Sequence, residues 1–279
     1  MELDYSTFLQ LSVLLPASLL AVIVLYKRGL LSKKSLNNRP IYPLGIEGID
    51  LAIGMLLILL GMVFASQVGA NLKGDEATAF QKAIVQLMMQ FCSFGPLMVY
   101  VAYKIISTQH RLGDFGLSLH KPIHWQMGVW SAILCIPILM SLSALVGLVS
   151  ILFHFPTPEI AHELLETISQ TKDVSTLIAL LSSAIIVAPL IEEFVFRGFL
   201  QHCMRDIISA KTPWVNIILC SLIFASVHIG AAQWQTMPAL FTLGCILGWM
   251  YERTASLWPC IILHAIFNAL NISIVLLLM

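Results

Sequence analysis

Three short motifs in the last third of the chain place polar side chains inside apolar sequence. The first, IEEFVFR, carries Glu192, Glu193 and Arg197; the second, FASVH, ends at His228; the third, HAIFN, begins at His264. A charged side chain at the centre of a bilayer costs about 3 kcal/mol or more, so such residues normally face an interior cavity and pair with one another. Five ionisable residues of this kind in one half of a chain predict a functional site.

The spacing within the first motif separates its two glutamates. Glu193 and Arg197 are four residues apart, so on a helix they share a face and can form an ion pair. Glu192 is rotated by about 100° onto a neighbouring face, where we expect it to meet a water molecule. The alternative is that all three charges reach for water at a helix end. We favour burial, with a helix that continues past Arg197 towards residue 207 and bends at Pro189.

The two histidines follow at equal intervals. His228 lies 36 residues after Glu192, and His264 lies 36 residues after His228. With turns between antiparallel helices, the three motifs can converge at one depth. Each later motif also puts a second residue on the face of its histidine, because Phe224 and Asn268 lie four residues away.

These residue types suit the hydrolysis of a peptide bond. A glutamate opposite a histidine can hold and deprotonate a water for attack on a carbonyl. A second histidine and an amide can then stabilise the oxyanion. The close alternative is zinc, with Glu192, His228 and His264 as ligands and water as the fourth. The HExxH motif that would favour zinc is missing, so no cofactor is firmly predicted and a divalent metal stays an alternative.

The composition predicts an all-α polytopic membrane protein. Of 279 residues, 58% are hydrophobic and 11% are charged, with a mean hydropathy of +0.89, whereas soluble domains carry roughly a quarter charged residues. Apolar runs of about the length that spans a bilayer predict a bundle of about eight transmembrane helices. The runs lie at 8–26, 51–69, 83–103, 126–153, 175–200, 214–230, 237–250 and 257–279.

We expect one membrane domain in two parts. Residues 1–174 would supply about four helices with no ionisable residue at depth, and residues 175–279 would form the catalytic helical core. No polar stretch reaches the roughly 50 residues that a separate domain needs. A net charge of zero, without a basic cluster, predicts no binding of nucleic acid. Positive charge in 27–49 and 104–125 predicts that these loops are cytoplasmic and the site lies nearer the other face.

The ordered set E-E-x-x-x-R, F-x-x-x-H and H-x-x-x-N resembles the CAAX protease and bacteriocin-processing family of intramembrane endopeptidases. That family includes type II CAAX prenyl endopeptidases, bacteriocin self-immunity proteins and lysostaphin-resistance-type proteins. The similarity covers about residues 175–279. All motif positions match, as Glu192, Glu193, Arg197, Phe224, His228, His264 and Asn268.

The resemblance implies a role for each of these positions. Glu192 and His228 would activate the water, and His264 and Asn268 would form the oxyanion site. Glu193 and Arg197 would be a structural pair that orients the glutamate helix, and Phe224 would support the site. The family has been described both as metalloproteases and as metal-independent glutamate proteases. We favour the metal-free scheme, because an asparagine four residues from a histidine is a better oxyanion donor than zinc ligand.

We therefore expect an intramembrane endopeptidase that cleaves a membrane-associated protein or peptide, with a prenylated CAAX-type protein as one candidate. One alternative is a non-catalytic scaffold or bacteriocin-immunity-type protein that binds a peptide or partner in the same cavity. Another is a transporter or proton relay, although the inverted repeats that transporters often show are not evident. Expected partners are membrane lipid and a lipidated or membrane-associated peptide. The expected location is a bacterial plasma membrane, and the sequence makes no prediction of oligomeric state.

Overall fold

The structure is a computed structural model that describes residues 5–36, 45–72, 78–110, 113–118, 122–155, 168, 171–208, 213–229 and 232–277. Within those ranges the regular structure is helical, and the one β contact is an isolated bridge between Ile229 and Ala232. The prediction of an all-α fold is confirmed.

Eight long helices in the described ranges follow the eight apolar runs of the sequence to within a few residues at most ends. They are α1 (Tyr5–Lys27), α2 (Gly48–Leu72), α3 (Ala79–Ser107), α4 (Pro122–Leu152), α5 (Val174–Ile208), α6 (Pro213–Ser226), α7 (Met237–Thr254) and α8 (Trp258–Leu277).

The predicted number of membrane crossings is supported only in part. Among the described residues, four helices are long and apolar enough to cross a bilayer: Gly48–Ala70, Ala79–Ser107, Ile123–Leu152 and Val174–Ile208. Shorter apolar helices occupy Leu11–Lys27, Pro213–Ser226 and Trp258–Ile274. Helix α6, for example, has 14 residues, which gives about 21 Å at 1.5 Å per residue, short of the roughly 30 Å hydrocarbon core. The chain is an all-α, multi-pass membrane protein, but eight crossings are not established.

Helix α5, which carries the first motif, begins where a side chain caps it. Asp173 Oδ2 accepts hydrogen bonds from the backbone N–H of Thr176 at 2.8 Å and from its hydroxyl at 2.5 Å. These bonds lower the pKa of the Asp173 carboxyl below its ordinary value. The helix ends at Ile208, so the prediction that it continues well past Arg197 is confirmed.

Two π-helical segments interrupt α5 on either side of the glutamates. They are Ser183–Val187 and Phe194–Leu200, and Ala188–Glu193 between them is α-helical. Pro189 has no N–H to donate, and the wide turn just before it closes with a bond from Ala188 N–H to Ser183 O. Helix distortion therefore occurs near Pro189 as two wide turns, an arrangement that is common at functional sites.

The amino-terminal helices meet α5 near its end. Gly48 N–H donates to Asp206 Oδ2 at 2.8 Å, and a side chain at Gly54 would overlap Phe199, because its Cβ would lie 2.2 Å from that ring. Small residues on α2 thus let the two helices approach closely. The division of the chain near residue 174 stays a prediction.

One buried acid lies at the start of an amino-terminal helix, while the expectation that residues 1–174 carry no ionisable residue at depth in the membrane stays a prediction. Asp50, in the first turn of α2, is 1% exposed. It accepts a hydrogen bond from the Tyr100 hydroxyl and lies 3.1 Å from Lys104 Nζ. The backbone N–H of Glu47 also donates to Asp50 Oδ2 at 2.7 Å. The sequence interpretation missed this acid because Asp50 stands at the edge of an apolar run while its two side-chain partners lie on α3.

Candidate active site

Glu193 binds two partners in the centre of the bundle. Its Oε1 lies 2.9 Å from Arg197 Nη1 and 2.8 Å from His264 Nδ1. Glu193 is fully buried and Arg197 is 2% exposed. The structure therefore contains the predicted Glu193 and Arg197 pair, and it adds a contact to His264 that sequence reasoning missed. Nothing in the spacing along α5 could have indicated a partner on α8.

Hydrogen bonds at Nδ1 set the tautomer of both histidines. A backbone carbonyl can only accept, so His228 Nδ1, 2.7 Å from Phe224 O, must be the donor. His264 Nδ1 in the same way donates to the Glu193 carboxylate. In the neutral form, each ring then presents an unprotonated Nε2 to its surroundings.

Both Nε2 atoms face the same oxygen of Glu192. The distances from Glu192 Oε2 are 3.8 Å to His228 Nε2 and 3.8 Å to His264 Nε2. That oxygen is buried and has no hydrogen-bond partner among the described residues. The two gaps are too long for a direct hydrogen bond, and a water could reach both atoms of either pair at about 2.8 Å. Glu192 Oε2 thus lies near two further acceptors, and it needs a donor.

Asn268 lies one turn beyond His264 on α8. Its Nδ2 donates to Ala184 O at 2.9 Å, and Ala184 belongs to the first π segment of α5. The amide carries two N–H groups, and the second has no acceptor among the described residues. The structure therefore places Asn268 at the contact between α8 and α5, the helices that carry His264 and the two glutamates.

Phe224 is the packing centre of the site and is fully buried. Its ring contacts His264 edge-on at 5.9 Å and His228 at 4.9 Å between centroids. The Arg197 guanidinium carbon lies 4.5 Å from the ring centroid, which is within cation–π range. One aromatic ring thus contacts three of the polar residues and holds their relative positions.

The zinc alternative can be tested against these distances. Ligands about 2.0 to 2.1 Å from a tetrahedral zinc lie roughly 3.3 to 3.4 Å from each other, whereas Glu192 Oε2 is 3.8 Å from the Nε2 of His228 and of His264. No group of three or more His, Cys, Asp or Glu residues in the described ranges is arranged to hold a metal ion. The residues as placed do not fit a zinc site.

A polar ladder, which the sequence interpretation missed, continues from the site along α5. Arg197 Nη2 donates to Gly244 O at 3.4 Å, and Gln201 Nε2 donates to Gly248 O at 3.0 Å and to Glu252 Oε1 at 3.1 Å. Arg205 closes the ladder with a 3.0 Å ion pair to the same Glu252 oxygen. The ladder joins α5 to α7 over about two helical turns.

The signal for this ladder was present in the sequence. Gly244 and Gly248 form a GxxxG pair, which lets helices approach closely in membranes. A Cβ at Gly248 would lie 3.0 Å from Gln201 Oε1, and one at Gly244 would lie 3.0 Å from Ser221 Cβ. On α5, Arg197, Gln201 and Arg205 recur every four residues and therefore share one face.

Replacing Gln201 with leucine should lower the free energy of unfolding by about 1 to 3 kcal/mol, because two buried hydrogen bonds are lost. Denaturation of the purified protein in detergent would measure the change. Gln233→Leu is the matched control, since Gln233 is exposed and should unfold as the wild type does. Equal unfolding of both variants would show that the ladder contributes no stability.

Comparison with known proteins identifies the segment that contains the site. Residues 174–270 match the family model described as Type II CAAX prenyl endopeptidase Rce1-like. The resemblance that the three motifs predicted is confirmed over this segment. The match begins with α5 and ends in α8, so it contains all seven motif positions.

One curated relative and the solved structures complete the comparison. An uncharacterised 24.3 kDa protein of Escherichia coli is 30% identical over 93 residues, which are 33% of this chain and 42% of the relative. The chain thus spans less than half the length of that relative. No solved structure matches this chain.

Proposed function

We propose that this chain, which carries the protease family segment in residues 174–270, is an intramembrane endopeptidase. It would hydrolyse a peptide bond in a membrane-associated protein or peptide. One observation carries the proposal most directly: within the described part of the chain, Glu192 Oε2 has no hydrogen-bond partner, and it lies 3.8 Å from two histidine nitrogens. A structural carboxylate would be paired, whereas a base that activates water needs an unoccupied lone pair.

Hydrolysis begins with a water held between Glu192 Oε2 and His228 Nε2. The water donates one O–H to each atom, which leaves an oxygen lone pair for attack on the scissile carbonyl. Glu192 takes the proton as the new C–O bond forms and then delivers it to the leaving amine. The glutamate is regenerated, and the products are a carboxylic acid and an amine.

Proton counting explains how His264 can stabilise the oxyanion. Glu192 Oε2 and the two Nε2 atoms are three acceptors, while one water supplies two protons. A third proton, on His264 Nε2, turns the third acceptor into a donor. Glu193 Oε1, which accepts from Nδ1, holds that ring in place. The protonated ring then donates to the oxyanion together with the second N–H of Asn268.

In the proposed reaction Glu192 is the base, and no step uses a metal ion. The activity of purified protein should therefore persist after exhaustive treatment with a chelator. Loss of activity on chelation, with recovery on addition of zinc alone, would assign the reaction to metal chemistry. The unfolding midpoint, measured in parallel, would exclude a chelator effect on folding.

Cleavage by the purified protein tests the function itself. Wild type and His228→Ala would be placed in liposomes with prenylated peptides and with the same peptides unmodified, and products identified by mass spectrometry. We expect the wild type to cleave at one position and His228→Ala to be at least about 10²-fold slower, because half of the water site is gone. A preference for prenylated peptides would identify the substrate class.

The same variants distinguish the alternatives. A folded wild type that binds peptides without cleaving any would indicate a scaffold or immunity-type protein. Solute transport across the liposome membrane, abolished by His228→Ala, would indicate a transporter. Membrane lipid and a lipidated or membrane-associated peptide are the proposed partners, and a bacterial plasma membrane is the proposed location.

A further inference from the structure

The segment Gly113–Leu117, between α3 and α4, contacts α5 and the turn that leads into α8. Loops between helices normally run over the surface, yet Phe115 is fully buried in the main hydrophobic core. The segment lies outside residues 174–270, so the family match does not account for it.

Phe115 fixes one face of α5. Its ring centroid lies 4.8 Å from that of Phe194, the residue after Glu193. Gly198 leaves room for the same ring, because a Cβ there would lie 2.4 Å and 2.6 Å from two Phe115 ring carbons. Phe194 and Gly198 share a helix face next to the face of Glu193, so α5 cannot rotate without displacing Phe115.

Gly116 binds the turn that leads into α8. Its carbonyl accepts from Leu257 N–H at 3.0 Å and from the Ser256 hydroxyl at 3.3 Å. Gly116 has a φ of +94°, and a Cβ there would lie 3.0 Å from Ala255 O. Glycine is therefore required both by the backbone conformation and by the space.

The two contacts together connect α5 to the turn before α8 through one short segment. Glu192 and Glu193 are on α5 and His264 is on α8, and their 3.8 Å and 2.8 Å separations depend on the spacing of these helices. We infer that Gly113–Leu117 is a clamp that sets this spacing, and that Phe115 is a positioning residue for Glu192 and His264. The inference rests on the proposed peptidase function for its effect on rate.

A pair of complementary size changes tests the clamp. Gly198→Ala pushes against the Phe115 ring, and Phe115→Leu makes room for the added methyl group. We expect Gly198→Ala to lower kcat at least about 10-fold with KM changed less than about threefold, because small displacements of catalytic groups cost rate more than binding. The double variant Phe115→Leu/Gly198→Ala should recover most of the lost kcat.

Gly61→Ala is the matched control. Its Cβ would lie 2.3 Å from Ser93 O, so it inserts the same methyl group between α2 and α3, away from α5. It should lower the unfolding midpoint while the folded fraction keeps the wild-type kcat. A kcat for Gly198→Ala within about twofold of wild type, or a double variant no better than Gly198→Ala, would overturn the clamp.

The clamp can still be tested if Gly198→Ala does not fold or if the wild type is inactive. If Gly198→Ala does not fold, the kinetics of Phe115→Leu alone are measured. A lowered kcat with unchanged KM would support the clamp. A kcat equal to that of the wild type would overturn it. If the wild type cleaves nothing, the proposed function fails, and the clamp is judged by unfolding midpoints. A midpoint recovered in the double variant supports the contact, whereas additive losses contradict it.

Discussion

Replacing Glu192 with glutamine should reduce peptide cleavage by about 10³-fold or more while the protein stays folded. Glutamine has almost the same shape but cannot take the proton of the attacking water, and loss of a general base typically costs 10² to 10⁴ in rate. The side chain is 23% exposed and lies 3.8 Å from the two histidine nitrogens, and glutamine keeps its size and shape, so we expect the variant to fold. The measurement is the cleavage rate beside the unfolding midpoint.

The matched control is Glu47→Gln at an exposed position in the described chain. It removes one carboxylate from the protein and should leave both the rate and the midpoint unchanged. Cleavage by Glu192→Gln at even a tenth of the wild-type rate would remove Glu192 from its proposed role as the base.

Replacing Glu193 with leucine should lower the free energy of unfolding by about 3 to 5 kcal/mol. The substitution leaves the Arg197 guanidinium buried without its carboxylate, and breaking a buried ion pair from one side costs about this much. Cleavage should fall as well, because His264 Nδ1 loses its acceptor. Denaturation in detergent and the cleavage rate measure the two effects separately.

Two double variants separate the ion pair from the orientation of the histidine. Glu193→Leu/Arg197→Met removes both charges and should recover most of the stability but not the activity. Glu193→Gln/Arg197→Met should also recover the stability. It should cleave at least about 10-fold faster than Glu193→Leu/Arg197→Met, because the glutamine Oε1 still accepts from His264. Equal rates for the two double variants would mean that Glu193 serves the ion pair alone.

Contacts within one helix could be predicted residue by residue from sequence, whereas between helices the sequence predicted that the three motifs converge but not which atoms meet. The Glu193 and Arg197 pair follows from a spacing of four residues, and the structure shows it at 2.9 Å. The bond from His264 to the same Glu193 oxygen joins residues 71 positions apart. Sequence spacing carries no information on such a pair, since it depends on how α5 and α8 pack.

The limits of the fold prediction have a similar cause. Hydropathy located the eight helices, because burial and lipid exposure both select apolar residues. It could not count crossings, since a short helix such as α6 and a true span have similar composition. Phe115 was missed because a polar loop with one aromatic residue gives no sign that the residue is inserted into the core.

The fate of the oxygen atom of the attacking water tests most directly the claim that Glu192 activates this water. A single turnover in ¹⁸O-water, followed by mass spectrometry of the product and of the peptide that contains Glu192, shows where the water oxygen goes. If Glu192 activates a water, the new product carboxylate carries the label and the glutamate carries none. Label in Glu192 would show that the carboxylate itself attacks the substrate, and wild-type protein that forms no labelled product would contradict the account altogether.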